Sequence, residues 1–219
     1  MNHRVGVVLA GGRSSRMGRD KAALVVGGRT LARRAADVVA AVAAQVLIAD
    51  RGRGIVPGAA SVADGPGRGP AAGILGAARA ASGRPLLVLA CDLPAVPASL
   101  LAALAERAEP ADPAPGATAA AGASATAGPD LVLPRWARGV EPLVGWYGPR
   151  ALAALAAQVT AGEYSLGRLV ERADLTVAWL EGEALERLGA PVELFRNVNT
   201  PADRARLGHG YGAGGCDED

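Results

Sequence analysis

Aromatic side chains are nearly missing from this chain: one Phe, three Trp and three Tyr make up 3% of its 219 residues. Half of the residues are apolar, so the core must be built largely from Leu, Val and Ala. Cysteine is equally scarce. Cys91 and Cys216 lie far apart, at a spacing that suggests neither a disulfide framework nor a metal site. His3 and His209 sit at the two ends, leaving nothing between them to act as an imidazole base. No uncharged apolar run approaches the roughly 20 residues of a membrane span without meeting Pro or Gly. No charged-then-apolar-then-small leader pattern opens the sequence, and a cytoplasmic location is expected. The net charge of +2 is too small to point to nucleic acid or a membrane surface as a partner. The length suits one sizeable domain.

Two familiar phosphate-binding signatures are absent as well. Neither Gly-x-x-x-x-Gly-Lys-Ser/Thr nor Gly-x-Gly-x-x-Gly can be read near the start. What stands there is an apolar run, Arg4-Val5-Gly6-Val7-Val8-Leu9-Ala10, followed by Gly11-Gly12-Arg13-Ser14-Ser15-Arg16-Met17-Gly18-Arg19-Asp20-Lys21. Leu31, Ala35, Val38 and Val42 then recur at helical spacing, so the loop joins a buried strand to an amphipathic helix. Ligands of open α/β sheets bind beyond the carboxyl ends of strands, where such loops gather. Glycines let the backbone approach a ligand closely, and Arg13, Arg16, Arg19 and Lys21 bring four positive charges. Exposed amides with fixed cations suit a polyphosphate.

The rest of the chain alternates in the same way. A helix is predicted from about Thr30 to Ala44, then a short strand Gln45–Ala49 and a loop from Asp50. Ser61-Val62-Ala63 is a weaker strand that ends at Asp64. Gly65 to Pro70 is too rich in breakers for either element, and a small-residue helix follows from Ala71 to about Ala81. Its Gly73 and Gly76 each cost about 1 kcal/mol relative to alanine, which calls for close packing or a ligand against the helix start. Pro85–Cys91 is apolar on both faces, as a central parallel strand should be, and ends in Asp92-Leu93-Pro94. A carboxylate there must be paired, bound to a cation or used to cap the helix predicted over Pro97–Arg107.

Glu109 to Gly128 is mostly Ala, Pro, Gly, Ser and Thr without an apolar period, and reads as a mobile low-complexity insertion. Strands are expected over Asp130–Pro134 and Glu141–Tyr147, helices around Leu152–Val159 and Leu166–Val170, and a late strand over Leu175–Leu180. Trp136, Trp146 and Tyr147 read as core packing ahead of a platform for a flat heterocycle. In Phe195–Asp203, Thr200 can cap a short helix, whereas Asn197 and Asn199 alternate on an extended segment and point the same way. One domain is expected over residues 1–207, with a disordered tail over 208–219.

The pattern Leu-Ala-Gly-Gly, five residues, Met-Gly-x-Asp-Lys resembles the signature loop of nucleotidyltransferases, and among these the molybdenum cofactor guanylyltransferases. Gly69-Pro70-Ala71-Ala72-Gly73 is similar to that family's Gly-Pro-Leu-Ala-Gly segment, with Ala71 in place of Leu. Cys91-Asp92-x-Pro94 resembles its metal-binding motif and Asn197-x-Asn199-Thr200-Pro201 its C-terminal segment. The resemblance implies a Rossmann-like three-layer α/β sandwich with a mostly parallel central sheet. It also implies transfer of GMP from GTP to the terminal phosphate of molybdopterin, with or without molybdenum, and release of pyrophosphate. Catalytic roles would fall to Arg16, Lys21 and Asp92, with Mg²⁺ on Asp92. The GTP contacts would be Leu9, Ala10, Gly11, Gly12, Lys21, Asp64, Gly69, Gly73 and Asp92, and the pterin contacts Asn197 and Asn199. Apo-molybdoenzymes and upstream cofactor-synthesis proteins are the implied protein partners. The family often has an Asn after the second strand, where only Asp50 is near. Related cytidylyltransferases carry Leu-Ala-Ala-Gly and Pro-Lys in the first loop, whereas this chain has Gly11-Gly12 and Asp20-Lys21. A CTP-dependent enzyme, one with another phosphorylated acceptor, and a non-catalytic cofactor carrier are the alternative readings.

Overall fold

Val5 and Val7 project from one side of the first strand and Gly6 and Val8 from the other, and both sides are covered by helices. That double burial is why the strand has no polar alternation. The computed structural model describes residues 4–11, 21–109, 128–136 and 139–188. In chain order they form β1 (Val5–Leu9), a 3₁₀ turn (Lys21–Ala23), β2 (Val25–Val26), β3 (Arg29–Thr30), α1 (Leu31–Ala40) and β4 (Gln45–Ala49). Next come β5 (Ala60–Val62), α2 (Gly69–Ala80), β6 (Leu86–Ala90), α3 (Ala98–Ala108) and β7 (Leu131–Trp136). The described part closes with β8 (Gly139–Val140), β9 (Val144–Tyr147), α4 (Pro149–Thr160), α5 (Leu166–Val170), β10 (Val177–Glu181) and α6 (Glu183–Arg187).

The main sheet runs β10-β7-β9-β6-β1-β4-β5, with β8 paired to β7. Strands β6, β1, β4 and β5 are mutually parallel, as are β10 and β7, while β9 and β8 run against their neighbours. One apolar layer joins Val8, Ile48, Leu87 and Leu89 to α1, α3 and Leu185 of α6. The other joins Val5, Val7, Leu47, Leu86 and Val88 to α2, α4 and α5. The expected three-layer, mostly parallel α/β sandwich is the observed architecture. Its core is aliphatic apart from Tyr147, which is fully buried and donates its hydroxyl to the Pro142 carbonyl. Tyr147 is thus core rather than a ligand platform, and Trp136 and Trp146 are partly buried against the first apolar layer.

Several boundaries differ from the sequence reading. Helix α1 ends at Ala40 rather than Ala44, and α2 starts two residues early, at Gly69, with Pro70 in its second position. Strand β9 begins at Val144 rather than Glu141, because Glu141-Pro142-Leu143 turns: the Glu141 carboxylate and carbonyl accept from the Leu143 and Val144 amides. The β2–β3 hairpin, β8 and α6 are two to five residues long and carry no detectable period. Pro97 precedes α3 and no side chain caps that helix, so Asp92 is not its cap. The proposed insertion beyond Glu109 and the tail from 208 lie outside the described residues. Among the described residues no helix is long and apolar enough to cross a membrane.

Candidate active site

Four parallel strands release their chains on the same edge of the sheet, and a pocket of about 350 Å³ opens there. From β1 come Leu9, Ala10 and Gly11; from β4, Ala49 and Arg51; beyond β5, Asp64; from β6, Ala90, Cys91 and Asp92. Lys21 and Ala22 reach in from the 3₁₀ turn, and the start of α2 supplies Gly69, Pro70 and Gly73. Leu143, whose carbonyl accepts from the Ala90 amide, lies against the same opening.

The charged side chains divide by strand. Asp92 sits beyond β6, and Lys21 Nζ stands 3.8 Å from its Oδ2, both side chains being about one quarter exposed. That separation is an ion pair without a short hydrogen bond. Burial pushes the Asp92 carboxyl above its ordinary value of 3.8, and the Lys21 charge only partly opposes this. Glu141, in the turn before β9, is also pushed up from 4.5, by burial and then by the negative charge of Asp92. An isolated carboxylate in this setting is in electrostatic deficit and gains from a cation. One carboxylate completed by phosphate oxygens is the donor set that Mg²⁺ accepts, so the residues present fit a divalent ion at Asp92. Among the described residues no cluster of three or more His, Cys, Asp or Glu forms a self-sufficient metal cage.

At the β4–β5 end, charges satisfy one another. Asp50 is completely buried: Oδ1 accepts from the Gly52 and Arg53 amides and the Ser61 hydroxyl, Oδ2 from the Ile55 amide at 2.8 Å. The Asp50 carboxylate after the second strand braces the 50–55 loop and is not among the residues that line the pocket. Arg53 ties that loop to β1 by donating to the Ala10 carbonyl at 3.0 Å. Arg51 Nε donates to Asp64 Oδ2 at 3.2 Å. Asp64 is seated by a close glycine contact: a Cβ on Gly76 would meet the Ala63 carbonyl at 2.1 Å, and one on Gly65 the Gly76 amide at 2.7 Å. Gly76 is thus a packing notch. Gly73 has a second reason, since it packs on Leu9 and Ala49 and also borders the pocket.

Residues 6–177 match the MobA-like NTP transferase domain. A probable molybdenum cofactor guanylyltransferase from Nostoc sp. is 32% identical over 94% of this chain and 90% of its own. One from Opitutus terrae is 35% identical over 92% of this chain and 93% of its own. The chain belongs to the molybdenum cofactor guanylyltransferase family. It is therefore a nucleotidyltransferase. A crystal structure of molybdopterin-guanine dinucleotide biosynthesis protein A from Archaeoglobus fulgidus superposes with a TM-score of 0.73 at 24% identity, covering 94% of this chain and 97% of that one, and shows the same fold.

Of the residues that the family resemblance picks out, Leu9, Ala10, Gly11, Lys21, Asp64, Gly69, Gly73 and Asp92 all border this pocket, although they span more than 80 positions of sequence. Gly12, Arg16, Asn197 and Asn199 lie outside the described residues. Two charged groups were missed from sequence. Arg51 looked like loop charge, and its one signal was a bulky residue inside Asp50-Arg51-Gly52-Arg53-Gly54 directly after a strand. Glu141 looked like the start of a strand, and nothing local marks its nearness to Asp92.

Proposed function

We propose that this protein transfers GMP from GTP to the terminal phosphate of molybdopterin or its molybdenum-bearing form, releasing pyrophosphate. The observation that carries the reading is the Lys21–Asp92 pair at the mouth of β1 and β6, in a pocket that extends across the strand ends to Asp64. Adjacent strands are about 4.8 Å apart, so the three spacings from β6 to β5 place Asp92 and Asp64 about 14 Å apart in projection. That suits a nucleotide laid along the strand ends, with its α-phosphate near Asp92 and its base toward Asp64.

Catalysis of nucleotidyl transfer is chiefly positioning and charge neutralisation. The amides at the α2 start, where no side chain caps the helix, present donors to phosphate and ribose oxygens, and Leu9, Ala10 and Gly11 line the pocket beside them. Lys21, joined by Arg16 from the signature loop, holds the triphosphate and stabilises charge on the departing pyrophosphate. Asp92 would hold Mg²⁺, which would supply neutralisation of phosphate charge. The attacking phosphate of the acceptor is already ionised, so no general base is required, in keeping with the lack of histidine between the termini. The pterin contacts are assigned to Asn197 and Asn199 on the family resemblance.

The test is pyrophosphate release with each of the four nucleoside triphosphates, with molybdopterin and Mg²⁺ supplied. Release with GTP that depends on both molybdopterin and metal is the expected result. Release with CTP alone would move the chain to the cytidylyltransferases, and nucleotide binding without turnover would favour a carrier.

A further inference from the structure

Arg51 is one of two described residues other than glycine with a positive φ, at 66°. A side chain in the left-handed region costs of order 1 kcal/mol or more and persists only where its surroundings over-determine it. Here they do. The buried Asp50 carboxylate receives the amides of Gly52 and Arg53, and the Gly52 amide also lies 3.1 Å from the Val62 carbonyl of β5. The turn is locked from both sides of Arg51, and its side chain, 40% exposed, borders the pocket. There it meets Asp64 through Nε–Oδ2 at 3.2 Å, over the open α-carbon of Gly11: a Cβ on Gly11 would stand 3.6 Å from both Arg51 Nε and Asp64 Oδ1. Asp64 Oδ1 accepts no hydrogen bond among the described residues.

We propose that Arg51 is a specificity-positioning residue for the purine: its guanidinium holds one oxygen of Asp64 so that the carboxylate stays turned toward the base. The inference rests on the guanine-nucleotide reading above. Guanine carries two adjacent donors on one edge, N1–H and the 2-amino group, and a fixed carboxylate accepts from both. Adenine presents an acceptor at N1, which a carboxylate repels. Each carboxylate oxygen has two lone pairs, so Oδ2 can keep Arg51 while sharing the base edge with Oδ1. Arg51 acts through Asp64, and its removal frees the carboxylate to rotate.

The experiment compares direct titrations of GTP, inosine triphosphate and ATP into the wild type, Arg51→Gly, Arg51→Lys and, as a surface control, Arg168→Ala. Inosine triphosphate lacks only the 2-amino group. Arg51→Gly suits the left-handed backbone, so its thermal midpoint should stay close to that of the wild type, and any lost selectivity is not lost folding. The expected result is that Arg51→Gly binds GTP about tenfold more weakly and inosine triphosphate little changed, which collapses the preference between them. Arg51→Lys should recover part of the affinity, and turnover at saturating GTP should fall less than kcat/KM. A folded Arg51→Gly with the wild-type ratio of GTP to inosine triphosphate affinity would overturn the role of Arg51 alone. A wild type that binds no guanine nucleotide would overturn the reading beneath it.

Discussion

The two ends of the pocket handle buried charge in opposite ways. Beyond β6, Asp92 is desolvated, held by Lys21 only at 3.8 Å, and has its pKa raised. Beyond β4, Asp50 is more deeply buried, yet its two oxygens accept four hydrogen bonds, and the neighbouring Arg51 and Asp64 pair with each other. One end leaves a carboxylate short of partners, so that a cation and a polyphosphate improve its lot. The other is finished before any ligand arrives, as a recognition surface must be if binding is not to spend energy on ordering it. We propose that reaction and recognition are separated along a single row of strand ends.

The sharpest way to break the contrast is Asp92→Asn. It keeps the shape and removes the charge, and turnover should fall by about a hundredfold or more, as when one preorganised electrostatic contact of a transition state is lost. The stability effect should run the other way. A folded-state pKa raised above 3.8 means that the contribution of Asp92 to stability is complete below the unfolded value and is lost as pH rises through the folded one. Asp92→Asn should then unfold no earlier than the wild type at neutral pH, with any advantage shrinking toward pH 4 and below. Thermal scans across that range decide it: an Asn variant that is less stable at neutral pH but matches the wild type in acid would mean that the ionised Asp92 is satisfied after all.

At the other end, Asp50→Ala should cost about 2–4 kcal/mol of folding stability, because it takes the acceptor from the Arg53 and Ile55 amides and the Ser61 hydroxyl. Denaturant midpoints measure this. A variant within about 0.5 kcal/mol of the wild type would remove the brace from the account.

A smaller effect separates nucleotide from acceptor. Lys21→Ala should weaken GTP binding by about tenfold, the worth of one charge-assisted contact. Asn199→Ala should leave GTP binding nearly intact and weaken molybdopterin binding instead. Equal losses of GTP affinity in the two variants would assign the C-terminal segment to the nucleotide.

The smallest effect is expected outside the site. We propose that Glu109 to Gly128 hold a low-complexity insertion, because nothing in the composition of residues 110–127 offers a core-facing period. Replacing them with a short Gly/Ser linker should leave GTP binding and the thermal midpoint essentially unchanged. Glu109 should be retained, since it pairs with Arg4 across the start of β1. A clear loss of stability would assign the segment to the core.

Much of this protein could be read without coordinates. Runs such as Val5–Leu9 and Leu86–Ala90 are strands because they are short, apolar on both faces and stopped by polar residues. The α1 periodicity finds Leu31 and Ala35 on its buried face but picks the half-buried Val38 where Val39 is fully buried. Fold class and the identity of Lys21 and Asp92 as candidates belong to this local information. The tertiary structure alone decided the direction of β9, the internal use of Asp50, the pairing of Arg51 with Asp64 and the approach of Glu141 to Asp92. Each depends on which strand lies beside which: residues adjacent across a sheet edge are separated in sequence by whole crossover helices. A carboxylate is a ligand, a brace or a partner according to the donors that packing brings to it, and the chain cannot state those donors one residue at a time.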